Sequence, residues 1–213
     1  MRPPLAVAGY TDEVLDVVGG TLTAEERERA GRFTRDLDRL DFVAAHLLVR
    51  HCAAELLGAD ARDLTVVQRC GQCGGAHGRP RLAEVPGLSI SLAHTSGYVC
   101  AVAGEGRVGV DAEHATGGPA DRHLMTLSLT SAEAEIVGRD NRGLIRQWVR
   151  KEALVKRGEL SLDRLREVDL SELPLDQAGP LEWKGRHLTE WATGTVVGTA
   201  ITDEPAKLHL LGG

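Results

Sequence analysis

The first half of the chain changes from a helical to an alternating pattern of apolar residues. Residues 23–57 begin with a threonine followed three positions later by glutamate, and their apolar positions have helical spacing, so one or two helices are predicted. A short strand is expected at 64–69. Residues 89–104 alternate as two strands joined near residues 95–97, and another strand is expected at 108–113.

The second half shows a similar order of patterns. Residues 144–157 have apolar positions at helical spacing, 165–170 is a candidate strand, and 188–202 alternates as a hairpin. Helices and strands in this order favour an α+β fold. We expect two halves, 1–105 and 106–213, that resemble each other.

Short stretches of the two halves also match in sequence. AAHLLVR (44–50) resembles KEALVKR (151–157), and SGYVCAVA (96–103) resembles TGTVVGTA (193–200). Such matches indicate an internal duplication, although short similarities also arise by chance.

Composition narrows the functional class. The chain has 213 residues, of which 42% are hydrophobic and 26% charged, within the range of globular proteins. Its net charge of −6 argues against general affinity for nucleic acid, because such binding requires many basic groups to neutralise phosphates. No apolar run is long enough for a membrane span, and no basic, apolar leader begins the sequence. We therefore expect a cytoplasmic protein that contacts neither membrane nor nucleic acid.

A C-x-x-C sequence lies in the glycine-rich segment before residue 80. Cys70 and Cys73, followed by His77, have the local spacing of a zinc or redox site. No fourth ligand is evident, so a glycine-rich turn with incidental thiols is the simpler interpretation. A small zinc-dependent binding module is the corresponding functional alternative.

Two acidic residues alternate along the strand expected at 108–113. Since side chains alternate faces on a strand, Asp111 and Glu113 point the same way while Ala112 points into the core. Two close carboxylates repel each other unless a cation lies between them, and Mg²⁺ prefers such oxygen ligands. Alone, the pair is more often the solvated end of a strand.

A third acid lies on the helix expected at 144–157. Trp148, Glu152 and Lys156 are spaced four residues apart and so form one stripe along the helix. Glutamate followed by lysine one turn later is also a common surface pair. Three acids for a metal, together with a lysine for phosphate, favour phosphoryl-transfer chemistry over that simpler reading.

Two further positions are candidates for phosphate binding. His94, with Thr95 beside it, lies at the expected turn between two strands, where hydroxyl and backbone N–H groups can meet a phosphate. Arg79 lies between a flexible glycine and a rigid proline, which can fix a cation toward a ligand. A lone histidine at a turn is more often incidental, and the alternative for Arg79 is an ordinary charged loop residue.

The motifs resemble those of one enzyme family. GVDAE (109–113) followed by WVRKEALVK (148–156) resembles the two signature motifs of the 4'-phosphopantetheinyl transferases of the surfactin-synthetase-activating type, usually written (V/I)G(V/I)DxE and WxxKEAxxK. ERERAGRF, FVAAHLLVR, GRPRL and LAHTSGYVCAVA are similar to the family's first helices, its G-(K/R)-P turn and its S-H-S-G strand. The resemblance covers about residues 22–160, and the rest of the chain matches only in outline.

The resemblance implies a fold and a site. The fold would be a monomer of two pseudo-symmetric α/β halves, with coenzyme A in the cleft between them. Asp111, Glu113 and Glu152 would hold Mg²⁺. The remaining residues that the resemblance implies for coenzyme A binding are Arg50, Arg79, His94, Thr95, Lys151 and Lys156.

The resemblance also implies a reaction. A serine of an apo carrier protein, from a nonribosomal peptide, polyketide or fatty-acid synthase, would attack the pantetheine-side phosphate and release 3',5'-ADP. Glu152 would accept the serine proton, and Lys156 would contact phosphate. Residues 119–136 would meet the carrier, with core packing as the alternative. The competing function is a non-catalytic relative that binds coenzyme A or a carrier protein.

The chain departs from the family pattern at two positions near the expected nucleotide site. Ala93 replaces the serine that usually precedes the motif histidine, and Thr95 is the nearest hydroxyl that could substitute for it. Glu26 occupies a position where some relatives carry a phosphate-binding lysine. Recognition of the 3'-phosphate is therefore the least secure part of the implied site.

Overall fold

The computed structural model describes residues 2–70, 73–75 and 78–212. The helices are α1 (Thr11–Val17), α2 (Ala24–Ala30), α3 (Asp36–Leu57), α4 (Arg122–Ser128), α5 (Ser131–Val137) and α6 (Asn141–Arg157), with 3-10 helices at Ala61–Asp63 and Leu162–Glu167. The strands are β1 (Leu5–Tyr10), β2 (Val66–Gln68), β3 (Pro80–Leu82), β4 (Ser89–Thr95), β5 (Tyr98–Gly104), β6 (Gly109–His114), β7 (Pro180–Trp183), β8 (Arg186–Thr193), β9 (Val196–Thr202) and β10 (Lys207–Leu210). The α+β prediction is confirmed.

The first sheet contains six strands in the order β10-β1-β5-β4-β3-β2. Helix α3 packs on it, mainly against β5 and β4, and buries an apolar face that includes Leu48, Val49 and Ala53. Strand β10 comes from the end of the described chain and pairs in parallel with β1, so residues beyond 200 complete the sheet formed by residues 5–104.

The second sheet contains four antiparallel strands in the order β6-β9-β8-β7. Helix α6 packs on β6 and β9. The helix begins after Asp140, whose side chain accepts a hydrogen bond from the Arg142 N–H, and it ends at Gly158 in the left-handed conformation. Both long helices therefore cover a sheet.

The two sheets pack against each other through β4, β5 and β6. Small and branched residues fill the space between them, including Ala93, Cys100, Val110 and Ala112. Trp191 joins this layer, and its indole N–H donates to the Tyr98 hydroxyl at 3.0 Å. This packing places the ends of β4 and β6 beside each other, where the candidate site lies.

Most of the patterned elements are confirmed within a few residues, but the strand expected at 165–170 is wrong. This segment forms part of the 3-10 helix Leu162–Glu167 and an irregular continuation. Leu162, Leu165 and Val168 recur every third residue, which is the period of a 3-10 helix. The carbonyls of Leu165 and Val168 accept hydrogen bonds from the Lys151 ammonium rather than from a neighbouring strand.

None of the helices in the described ranges has the length and apolar character needed to span a membrane.

Candidate functional site

Strand β6 and helix α6 approach closely at the GVDAE sequence. A Cβ added to Gly109 would lie 2.1 Å from the backbone oxygen of Ala153 on α6, so only glycine permits this distance. The approach brings Lys156 to Asp111, and their Nζ and Oδ1 atoms are 2.7 Å apart. The glycine of the motif thus sets the position of the helix that carries Glu152 and Lys156.

Glu113 is fixed by contacts at the end of β6. The Thr95 hydroxyl donates to the Glu113 carboxylate, which also accepts the His114 N–H at 2.8 Å. The His114 ring contacts the Ser96 backbone oxygen at 2.8 Å. These bonds join the end of β6 to the turn after β4, so residues from both sheets meet at this point.

The carboxylates influence one another electrostatically. Burial raises the pKa of Asp111, with Lys156 acting in the opposite direction and Glu113 raising it further. Burial also raises the pKa of Glu152, and the neighbouring Asp111 adds to the shift. Although burial alone would lower it, the pKa of Lys156 is raised by the carboxylate of Asp111. The site therefore concentrates negative charge that one lysine only partly compensates.

His94 lies on β4 beside this group. Desolvation lowers its pKa, Asp41 and Glu113 act in the opposite direction, and Lys156 lowers it further. The residue remains exposed, so a ligand can reach its ring. The structure brings six of the candidate residues together: Asp111, Glu113, Glu152, Lys156, His94 and Thr95.

Asp41 on α3 fixes the turn that carries His94 and Thr95, and sequence reasoning missed it. Its carboxylate accepts the Gly97 N–H at 3.1 Å and the Thr11 hydroxyl, and only 2% of Asp41 is exposed. An acid within the apolar face of a long helix was the available signal, since a buried charge requires partners.

Arg79 reaches the candidate site from the other half of the chain. Its Nη2 atom donates to the backbone oxygen of Lys156 at 2.7 Å, at the carboxyl end of α6. This position suits a cation because backbone carbonyls at a helix C-terminus are partly negative. The guanidinium lies directly over Gly158, so the glycine holds space for it.

Replacing Gly158 with alanine tests this arrangement. The residue has φ of 78°, and an added Cβ would lie 2.1 Å from Arg79 Nη2. We expect a loss of about 1–2 kcal/mol in the free energy of unfolding from the left-handed backbone, and a further loss because the Arg79 guanidinium must move away from the added Cβ. Urea denaturation measures the total.

Gly58→Ala is the matched control. Gly58 also ends a long helix, with φ of 69°, but its added Cβ meets only the Arg2 side chain at 3.5 Å, an ordinary contact. The control should lose only the contribution of the left-handed backbone. Equal losses in both variants would show that moving Arg79 costs no stability.

Arg50 occupies a buried position between α2 and α3. Its Nη2 atom lies 2.6 Å from the Glu26 carboxylate, Nη1 donates to the His46 backbone oxygen, and Nε donates to the Leu64 backbone oxygen. Only 3% of the residue is exposed. Glu26 also caps α2 through the Thr23 N–H, so this departure from the family pattern has a structural role.

Lys151 is buried on the opposite side of α6 from the acids. Its ammonium contacts Glu133 at 2.6 Å and donates to the backbone oxygens of Ser128, Leu165 and Val168 at 2.7–2.9 Å. Burial lowers its pKa, and Glu133 acts in the opposite direction. With 0% exposure and four acceptors, the ammonium joins α4, α5 and the 3-10 helix to α6.

Ala93 faces the layer between the two sheets, where 4% of it is exposed. Thr95, two residues along the same strand, reaches Glu113 instead. The nearest hydroxyl that could substitute for the missing serine is therefore already bonded to Glu113.

A buried network missed by sequence reasoning holds α6 on its sheet. Glu190 on β8 contacts Arg150 at 2.7 Å and Arg146 at 3.1 Å, and accepts the Thr199 hydroxyl. The arginines of a helix with many charged residues gave no signal that two of them point into the core.

The donor set suits a hard divalent cation. Carboxylate oxygens are the ligands that Mg²⁺ prefers, and a cation would offset the burial and the mutual repulsion that together raise the pKa of Asp111 and Glu152. Among the described residues, however, no group of three or more His, Cys, Asp or Glu side chains is arranged as a metal site. Asp111 is paired with Lys156 instead.

The C-x-x-C segment gives no further support to a zinc site. His77 lies outside the described residues, and the described ones contain no metal cluster around Cys70 and Cys73. Zinc binding there stays a prediction.

In comparisons with known proteins, no family model and no curated protein matches this chain. The resemblance therefore rests on the motifs and on where the structure places them.

Proposed function

We propose that this chain is a magnesium-dependent 4'-phosphopantetheinyl transferase, which moves the phosphopantetheine arm of coenzyme A to a serine of an apo carrier protein. One observation carries the proposal. Asp111 and Glu113 on β6 lie beside Glu152 and Lys156 on α6, next to the turn that carries His94 and Thr95. Acids, a lysine and phosphate-binding groups are what phosphoryl transfer requires.

The architecture supports the proposed duplication. Each of the matching sequence pairs falls on corresponding elements: 44–50 and 151–157 lie on the long helices α3 and α6. Likewise 96–103 and 193–200 cover the turns into β5 and β9. A pseudo-symmetric pair of halves with the site between their sheets accounts for both observations.

The three carboxylates would hold Mg²⁺, which would supply positive charge to offset the negative charge that develops on the phosphates during transfer. Glu152 accepts the proton of the carrier serine as the serine oxygen bonds to the pantetheine-side phosphorus. The bond between that phosphorus and the bridging oxygen breaks, and 3',5'-ADP leaves. Lys156, released from Asp111, neutralises phosphate charge.

The structure changes which cations we assign to coenzyme A. We assign Arg79, His94, Thr95 and Lys156 to its phosphates, because each of them contacts or neighbours the acid cluster or Lys156. Arg50 and Lys151 already donate to protein acceptors in buried positions, so we assign them to the scaffold. Their roles as coenzyme A ligands would require these bonds to break.

A mass measurement tests the proposal. Purified protein, coenzyme A, Mg²⁺ and a panel of apo carrier proteins should yield a carrier heavier by one phosphopantetheine arm, and omission of Mg²⁺ should remove the gain. Unchanged masses across carriers of peptide, polyketide and fatty-acid synthases would overturn it.

A non-catalytic relative is the second candidate. It is favoured by the pairing of Asp111 with Lys156 and by the absence of a ready metal group among the described residues. Calorimetric binding of coenzyme A without transfer to any carrier would support this alternative, whereas turnover would exclude it.

A further inference from the structure

An open cleft of about 630 Å³ lies between α4, α5 and the 3-10 helix Leu162–Glu167. It shares no lining residue with the acid cluster of β6 and α6. Its volume falls in the range of small-molecule sites, roughly 300–1,000 Å³. The cleft is therefore large enough for a ligand of its own.

Three arginines line the cleft from three separate segments. Arg122 begins α4, Arg139 lies between α5 and α6, and Arg166 lies on the 3-10 helix. The lining contains no aspartate or glutamate, although the whole chain has a net charge of −6. We call this site the arginine cleft.

The three guanidiniums have no protein acceptor in the described part of the chain. No side-chain hydrogen bond or ion pair forms there from Arg122, Arg139 or Arg166, whereas the exposed Arg164 on the same 3-10 helix as Arg166 is paired with Glu167. All three residues are exposed and line the same cleft. Like charges without a counter-ion repel, so binding of an anion among them is favourable.

The floor of the arginine cleft is apolar. Met125, Leu129 and Ala134 line it, and behind them Leu129 packs with Val137 and Leu144 in a small core cluster. An inorganic anion alone would leave this surface exposed to water. An occupant with an apolar part would bury it and gain free energy in proportion to the buried area.

We propose that the arginine cleft binds a small anionic amphiphile, with a carboxylate or phosphate head at the guanidiniums and an aliphatic tail over Met125 and Leu129. Both head groups accept the paired hydrogen bonds that a guanidinium donates. Most of the lining comes from residues 119–136, which the resemblance assigns to the carrier contact, so binding of a small amphiphile there is a function beyond the proposed transfer. Its test needs neither coenzyme A nor a carrier protein.

Titration calorimetry with decanoate and decyl phosphate tests the proposal and separates the two head groups. Binding at one site per chain is expected for at least one of them, with far weaker binding of decanol, decyltrimethylammonium and inorganic phosphate. Arg122→Gln, Arg139→Gln and Arg166→Gln should each weaken binding roughly tenfold, because each removes a charge-assisted hydrogen bond. Met125→Gln should weaken binding of the amphiphile but leave binding of inorganic phosphate unchanged.

Arg164→Gln is the matched control, since it removes the same charge from the same 3-10 helix outside the cleft. It should bind the amphiphile as the unaltered chain does. Equal binding of decanol and decanoate, or unchanged affinity in all three cleft variants, would overturn the proposal. The proposal would also be overturned if neither decanoate nor decyl phosphate binds while an acidic protein binds through the same arginines. The cleft would then be a contact surface for a protein.

Discussion

Glu152→Gln should reduce transfer of the phosphopantetheine arm by on the order of 10³-fold or more, because it removes the proposed proton acceptor together with one metal ligand. The substitution keeps the size and shape of the side chain at a half-buried position on α6 and removes its charge. The loss should appear mainly in kcat, with coenzyme A affinity reduced only as far as the weakened metal site contributes to it. Initial rates of carrier modification, followed by mass, measure it.

The same substitution should not destabilise the fold without metal. Burial and Asp111 both raise the pKa of Glu152, which means that its charged form is disfavoured in the folded chain. A neutral glutamine removes this repulsion, so the unfolding temperature of the metal-free protein should be unchanged or higher. Added Mg²⁺ should stabilise the unaltered chain more than the variant.

Glu182→Gln is the control, because Glu182 is exposed on β7 in the same sheet and outside the site. It should leave rate and melting temperature unchanged. Transfer by Glu152→Gln at the rate of the unaltered chain would exclude Glu152 as proton acceptor. A large drop in its melting temperature would show that the carboxylate is needed for folding instead.

Sequence periodicity located the candidate site because its chemistry follows local rules. Alternation on a strand places Asp111 and Glu113 on one face, and helical spacing aligns Glu152 with Lys156. The close approach of the two elements could not be deduced in this way, since it depends on Gly109 meeting the backbone of Ala153 across 44 positions. Contacts between residues so far apart in sequence depend on the tertiary fold and leave no local pattern.

The roles of buried cations were the part that sequence could not supply. A basic residue next to a catalytic motif suggests a phosphate ligand, yet Lys151 and Arg50 turn inward to acids that lie far away in sequence. Glu133 and Glu26 are the partners, and both cap a short helix as well, so their dual role has no local signature beyond the capping pattern. These distant partners decide whether a charged side chain points into the core or toward solvent.

Lys151→Met should lower the free energy of unfolding by about 3–5 kcal/mol, the cost of leaving a buried partner charge uncompensated. The side chains of Lys151 and Glu133 are both 0% exposed, and the variant leaves the Glu133 carboxylate with only the N–H donors of Thr130 and Leu170. Such a loss is a large part of the stability of an ordinary domain. Urea denaturation at constant temperature measures it.

An exposed ion pair supplies the control. Arg164 and Glu167 are in contact on the 3-10 helix, and their side chains are 62% and 55% exposed, so solvent screens the pair. Arg164→Met should hardly move the urea midpoint. If Lys151→Met and Arg164→Met lower the urea midpoint equally, burial does not determine how much the Lys151–Glu133 pair contributes to stability.

A double variant separates the ion pair from the backbone contacts of Lys151. Adding Glu133→Gln to Lys151→Met removes the uncompensated buried charge, so stability should partly recover relative to Lys151→Met alone. Recovery should stay incomplete, because the carbonyls of Ser128, Leu165 and Val168 still lack their shared donor. A double variant as stable as the unaltered chain would mean that these three bonds contribute nothing, and that Lys151 does not anchor α4 and the 3-10 helix to the helix that carries Glu152.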